Sequence, residues 1–391
     1  MLPHLPVLLI LLGPPALAAA LPAAAAEPPL AAVTVTGPVQ VVFRAKDAAC
    51  GGHSVPDAPA RAYRDERGEV VLFAPHYDNR PLRGPSLDRL ALDCHPALPS
   101  GGRAEPDLYD DRSWITATWT RDGREVAALI HHEYQAHTHP GRCRHPDYMA
   151  CWYNTVLGLT SRDGGRSFER PSRPVVVASS PFRQEHDQGR HRGFFNPSNI
   201  VAHGGAAYMF AATTGWAGQP SGACLFRNPD PLDPAGWRAL GGQGFTVAAR
   251  DPYRAKGSGP AACRPIEPFP APVGAVVRHR ASGAFLAVFQ AKADGGRFPE
   301  SGFYATASRD LVTWDKPRLV LAGRTLYDDP CTAGPGLISY PSLIDAGAKG
   351  RNFDDVGDGA DLYYVTLRVE GCTVTSDRDL VRRRVAIKVW P

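Results

Sequence analysis

The chain has 391 residues, with 43 Lys and Arg against 39 Asp and Glu, for a net charge of +4. Hydrophobic residues make up 43% and charged ones 21%, which allows a large core and excludes wholesale disorder. The charge balance, with no basic run beyond Arg382-Arg383-Arg384, argues against a nucleic-acid partner.

The 39 Gly and 38 Pro carry no collagen period and mark a turn-rich globular chain. Residues 1–26 contain no Lys, Arg, Asp or Glu, and an apolar run over 5–12 leads through Pro14 and Pro15 to Ala24-Ala25-Ala26. This predicts a signal peptide cleaved near Ala26. The run is shorter than the roughly 20 apolar residues of a membrane span. A secreted or periplasmic protein, with no membrane span after signal removal, is expected. All eight cysteines lie beyond this segment, and an even number in an exported chain is expected to pair. Sequence order suggests Cys50–Cys94, Cys143–Cys151, Cys224–Cys263 and Cys331–Cys372, although eight cysteines allow 105 pairings.

Five stretches share one grammar of strand, turn and strand. Strands are expected over 58–63 and 69–74, 113–119 and 125–130, 198–202 and 207–212, 274–277 and 285–290, and 342–344 and 361–367. The connecting turns, such as Arg121-Asp122-Gly123 and His203-Gly204-Gly205, are hairpin signals. A second type of turn follows. Ser161-Arg162-Asp163-Gly164-Gly165-Arg166-Ser167-Phe168 fits an Asp-box, S-x-D-x-G-x-[ST]-[FW]; Ser308–Trp314 is a looser copy and Pro231–Trp237 a degenerate one. The Asp of such a turn accepts its N–H groups while the aromatic packs between strands.

Five units of roughly 73 residues suit an all-β, five-bladed β-propeller of four-stranded antiparallel blades, stapled by disulfides. The blades are expected over roughly 40–100, 105–180, 190–250, 262–325 and 331–391, as a single domain from residue 27. A two-domain β-sandwich protein is the alternative. On these repeats the chain resembles the five-bladed propeller glycosidases typified by glycoside hydrolase family 43, with an Asp-box like that of sialidases.

In a propeller, residues before the first strand and after the second strand of each blade converge at the axial mouth. Here they include Asp57, His76, Tyr77, Asn79, Arg80, His132, Glu133, Asn196, Trp216, Gln290, Tyr340 and Arg368. Glycoside hydrolysis needs two carboxyl groups, one protonated and one ionised. The resemblance implies an inverting enzyme with an Asp base opening the first blade, a second Asp that tunes the acid, and a Glu acid. It assigns the base to Asp57. Glu133, after an apolar strand and among histidines, is the first choice for the acid. Glu267 lies nearer the family's acid position but lacks its Glu-Gly-Pro context, and Asn196 stands where a tuning Asp is expected. His76, Arg80, His132, Asn196 and Arg368 are expected to orient the sugar, with Tyr77, Asn79, Trp216, Gln290 and Tyr340 among the further contacts. No cofactor is required; an axial divalent ion is left open, with His131-His132-Glu133 inviting a metal reading. The expected partner is an oligo- or polysaccharide bound by a monomer. The rival is a non-catalytic lectin-like or protein-binding propeller.

Overall fold

The computed structural model describes residues 29–48, 50, 54–74, 76–182, 187–255 and 262–390; the signal segment expected at 1–26 lies outside them. Regular structure among the described residues is all-β, with helical turns limited to 3-10 pieces of three or four residues.

The strands follow as antiparallel meanders. The first comprises Arg61–Arg64, Val70–Phe73, Leu82–Ser86 and Arg89–Leu92, paired in chain order. The second runs Arg112–Thr120, Val126–Gln135, Trp152–Ser161 and Val175–Ala178. Next come Val201–His203, Ala206–Thr213, Gly222–Asn228, Arg238–Gly241 and Gly244–Val247. A fourth group is Val273–His279, Phe285–Ala291, Gly302–Ser308 and Arg318–Ala322. The last joins Gly336–Ile344, Gly359–Glu370 and Thr373–Val389, and its outer strand is Ala31–Val35 from the other end of the chain, with Ala31 opposite Val389.

Successive strand residues face opposite sides, and the apolar ones sort accordingly. Tyr63, Val71 and Phe73 pack with Ile115, Ala128 and Leu157 between the first two meanders. Leu129 and Val156 pack with Met209 and Phe226, and Phe210 and Leu225 with Val276 and Phe285. Val277 and Leu286 meet Leu362 and Val385. The remaining cluster brings Leu337 and Val365 of the last meander onto Leu72 of the first.

Two features depart from a simple repeat. Arg192–Phe195 pairs parallel with Trp152–Ser161 and antiparallel with Ala206–Thr213, merging the second and third meanders into one ten-stranded sheet. Gly193 allows this, because at φ +89° a Cβ there would stand 1.9 Å from the Asn154 carbonyl oxygen. Within the 345–359 insertion, Asp355–Val356 pairs parallel with Val273–His279.

Asp side chains fasten the turns. Asp65 Oδ1 accepts the N–H groups of Arg67 and Glu69, and Asp122 Oδ1 those of Arg124 and Glu125. In the 161–168 turn, Asp163 accepts from Arg166 N, Ser167 N, Ser167 Oγ and Ser161 Oγ, and Phe168 is buried below. Asp163→Ala is expected to cost about 1–3 kcal/mol in urea unfolding while leaving ligand affinity unchanged. Gly123 is more demanding: φ is +86° and a Cβ would lie 2.3 Å from the Asp65 carbonyl carbon. Gly123→Ala is therefore expected to destabilise by about 3 kcal/mol or more, read in the same measurement. The disulfides are Cys50–Cys94, Cys143–Cys151, Cys224–Cys263 and Cys331–Cys372, each joining one cysteine to the next cysteine along the chain.

Candidate active site

The segment before Arg61–Arg64 is anchored by Asp57 N donating to Ala74 O. This sets the Asp57 carboxyl beside His76, whose Nε2 lies 3.7 Å from Asp57 Oδ2. A register shift between Ser339 and Ser342 breaks the ladder of the last meander. Tyr340 sits at this break with φ +60°, and its hydroxyl donates to Asp57 Oδ1 at 3.3 Å. Gln290 Oε1 steadies this bend by accepting from Ser339 Oγ and Tyr340 N at 2.8 and 2.9 Å. Arg378, from the final strand, donates Nη1 to the same Asp57 oxygen.

Glu133 lies within Val126–Gln135, a strand buried along its whole length. Alternation puts His131, Glu133 and Gln135 on one face. Gln135 Nε2 donates to Glu133 Oε2 at 2.6 Å, and Arg112 Nη1 donates to Gln135 Oε1 at 2.7 Å. His131 Nε2 is 3.6 Å from Glu133 Oε1 and 3.2 Å from Asn154 Oδ1. Asn154 Oδ1 also accepts from Trp152 Nε1 at 3.0 Å. Rings link the two carboxyls: His76 to Trp114 at 5.8 Å between centroids, and Trp114 to His131 at 5.6 Å.

These surroundings treat the acids differently. Burial pushes the Glu133 carboxyl up to about 8; the Gln135 hydrogen bond opposes this and the Asp57 charge adds to it. Burial also raises Asp57, and the Arg378 cation and the Tyr340 hydroxyl offset that rise only in part. Burial holds His131 down to about 4, despite hydrogen bonding to Asn154 and Asn196. The imidazole is thus neutral at neutral pH. The site sets a carboxyl that burial keeps protonated at neutral pH beside a second carboxyl that faces a guanidinium, and two carboxyl groups in unlike surroundings are suited to acid/base chemistry.

Of the residues singled out in the sequence, the structure brings together Asp57, His76, Glu133, Asn196, Gln290 and Tyr340. Tyr77 joins them through ring contacts with His76 and Trp114. Trp216 lies farther along, under the Arg192 guanidinium at 4.9 Å. The others are engaged elsewhere. His132 points to the opposite face, against Tyr109 and Thr155 Oγ1. Fully buried Asn79 uses its amide on Leu98 O, Ser113 O and Ile115 N, fastening the first meander to the second. Arg80 binds Asp78, Ser54 Oγ and Cys94 O. Glu267 is 81% exposed and paired with Arg297, and Arg368 is 58% exposed and paired with Asp377; both lie apart from the carboxyl cluster. Arg378 was missed because the 321 residues separating it from Asp57 leave no local signal. Among the described residues, no group of three or more His, Cys, Asp or Glu is placed to hold a metal ion.

No family model matches the sequence, and no curated protein matches it. Solved structures with a similar course of chain include glycoside hydrolases and a deacetylase. An α-L-arabinofuranosidase of Podospora anserina in complex with cellotriose is 10% identical, over 88% of this chain and 95% of that one, with a TM-score of 0.44. An α-L-arabinanase mutant of Cellvibrio cellulosa is 11% identical, over 85% and 92%, at 0.46. An N-acetylgalactosamine deacetylase of F. plautii in complex with blood group B trisaccharide is 14% identical, over 92% and 96%, at 0.44.

Proposed function

We propose that the chain is a five-bladed β-propeller that hydrolyses glycosidic bonds at its axial mouth. The propeller reading is supported by the apolar clusters, which link each meander to the next and the last to the first. It is also supported by the N-terminal strand that completes the last meander.

The observation that carries the activity is the unequal carboxyl pair. Glu133, kept protonated by burial, gives its proton to the leaving glycosidic oxygen. Asp57, braced by Arg378 and Tyr340, serves as the carboxylate. It draws a proton from the attacking water in an inverting reaction, the course implied by the family resemblance. Neutral His131 and Gln135 hold the acid in place, while His76 and Asn196 flank the sugar. Four disulfides fit an oxidising compartment, consistent with export, and the protein is proposed to act as a monomer on an oligo- or polysaccharide.

A panel of aryl arabinofuranosides, xylosides, galactosides and sialosides, with product anomers followed by NMR, tests this reading. Turnover with inversion is expected. Retention would recast Asp57 as a nucleophile, and saturable glycan binding without turnover would give the protein to the lectin-like alternative.

A further inference from the structure

A chain of rings starts beside Glu133 and runs outward. His131 meets Phe195 at 6.4 Å between centroids, Phe195 meets His191 at 4.9 Å, and His191 meets Trp152 at 5.5 Å. Trp152 then meets Tyr148 at 5.8 Å, and Tyr148 meets His137 at 5.3 Å. Exposure rises along the way, from 7% at His131 to 50% at Tyr148, so the row climbs from the buried acid to solvent.

Polar ties fix this wall. Asn154 Oδ1 accepts from both Trp152 Nε1 and His131 Nε2, while Asn154 Nδ2 donates to Arg192 O at 3.0 Å. The Cys143–Cys151 disulfide and the Asp147 cap on Met149 N set the backbone that carries Tyr148 and Trp152. Large aromatic faces left partly in water, yet held rigid, suit stacking on the flat faces of sugar rings.

Their position relative to the carboxyls gives them a direction. The group that protonates the departing oxygen stands beside the leaving group, and the row begins at Glu133, whereas Asp57 is surrounded by Arg378, Tyr340 and His76. We propose that the row from Phe195 through Trp152 to Tyr148 is a track for the leaving-group sugars, so that the substrate is an oligosaccharide extended on that side rather than a glycoside of a small alcohol. This rests on the hydrolase reading above.

The test uses the mature protein and oligosaccharides of two to five sugars that carry the hydrolysed residue at the non-reducing end, beside the aryl glycoside of the same sugar. The wild type is expected to gain about tenfold in kcat/KM as sugars are added on the leaving side, mainly through KM. Tyr148→Ala is expected to lose the gain from the outer sugars, and Trp152→Ala that from the inner ones. Trp152→Phe, which keeps a ring, restores most of it, separating stacking from misfolding. A wild type indifferent to length, or variants that keep the full gain, would overturn the track while aryl glycoside turnover leaves the hydrolase reading standing. A wild type that turns over neither aryl glycosides nor oligosaccharides would overturn both.

Discussion

Glu133→Gln is expected to lower kcat on a glycoside with a sugar leaving group by about 10²–10⁴-fold, the usual contribution of a placed general acid. An aryl glycoside with an acidic phenol should lose far less, because that leaving group departs without a proton. The amide can still accept a hydrogen bond from Gln135 Nε2 but has no acidic proton to give. Asp57→Asn, which removes the carboxylate facing Arg378, should instead depress both substrates alike. Intact near-ultraviolet circular dichroism would show that neither change acts through unfolding. If Glu133→Gln lost activity equally on both substrates, Glu133 would be orienting the sugar rather than protonating the leaving oxygen.

The second large effect is on stability against pH. Glu133 titrates near 8 when folded against an ordinary 4.5. Between these values the folded state holds a proton that the unfolded chain has released, so stability falls as pH rises through that window. His131 and His191 are held down to about 4 by burial, and buried His132 is lowered too. For these groups the unfolded chain binds the extra protons, and stability is lost as pH falls from 6.5 towards 4. The two trends cross, and a maximum near pH 6.5 is expected. From there to pH 8, Glu133 alone should cost about 2 kcal/mol. Urea unfolding at pH 5, 6.5 and 8 should show both limbs in the wild type, and Glu133→Gln should flatten the upper one. An upper limb that survives this substitution would place its origin in another group.

The contrast between legible and hidden features follows from sequence distance. Hairpins fastened by Asp65 and Asp122 and the Asp163 turn join residues close in the chain, where turn chemistry is written locally, and each disulfide joins two cysteines consecutive in cysteine order. Glu133 stands out among histidines at the end of an apolar strand, whereas Asp57 is singled out by the family resemblance. His132 could have been set aside on the same evidence, since an extended strand turns it away from Glu133. Glu267 was harder to judge. Only the fold shows its carboxylate meeting Arg297 at the surface. Ala31–Val35 has an ordinary strand sequence, and nothing in it names Val385–Val389 as its partner. Arg378 is similar: an arginine in a basic strand gains its meaning only when the last meander closes on the first. The bend at Tyr340 and the parallel pairing of Arg192–Phe195 likewise depend on neighbours distant in the chain.

The proposed acid/base reaction requires the two carboxyls to hold different protonation states at neutral pH. Infrared difference titration of the wild type against Glu133→Gln, in heavy water from pH 4 to 9, addresses it directly. A protonated carboxyl band that is absent from the variant and fades with a midpoint near 8 is expected. A Glu133 band that has already vanished by pH 6 would contradict it.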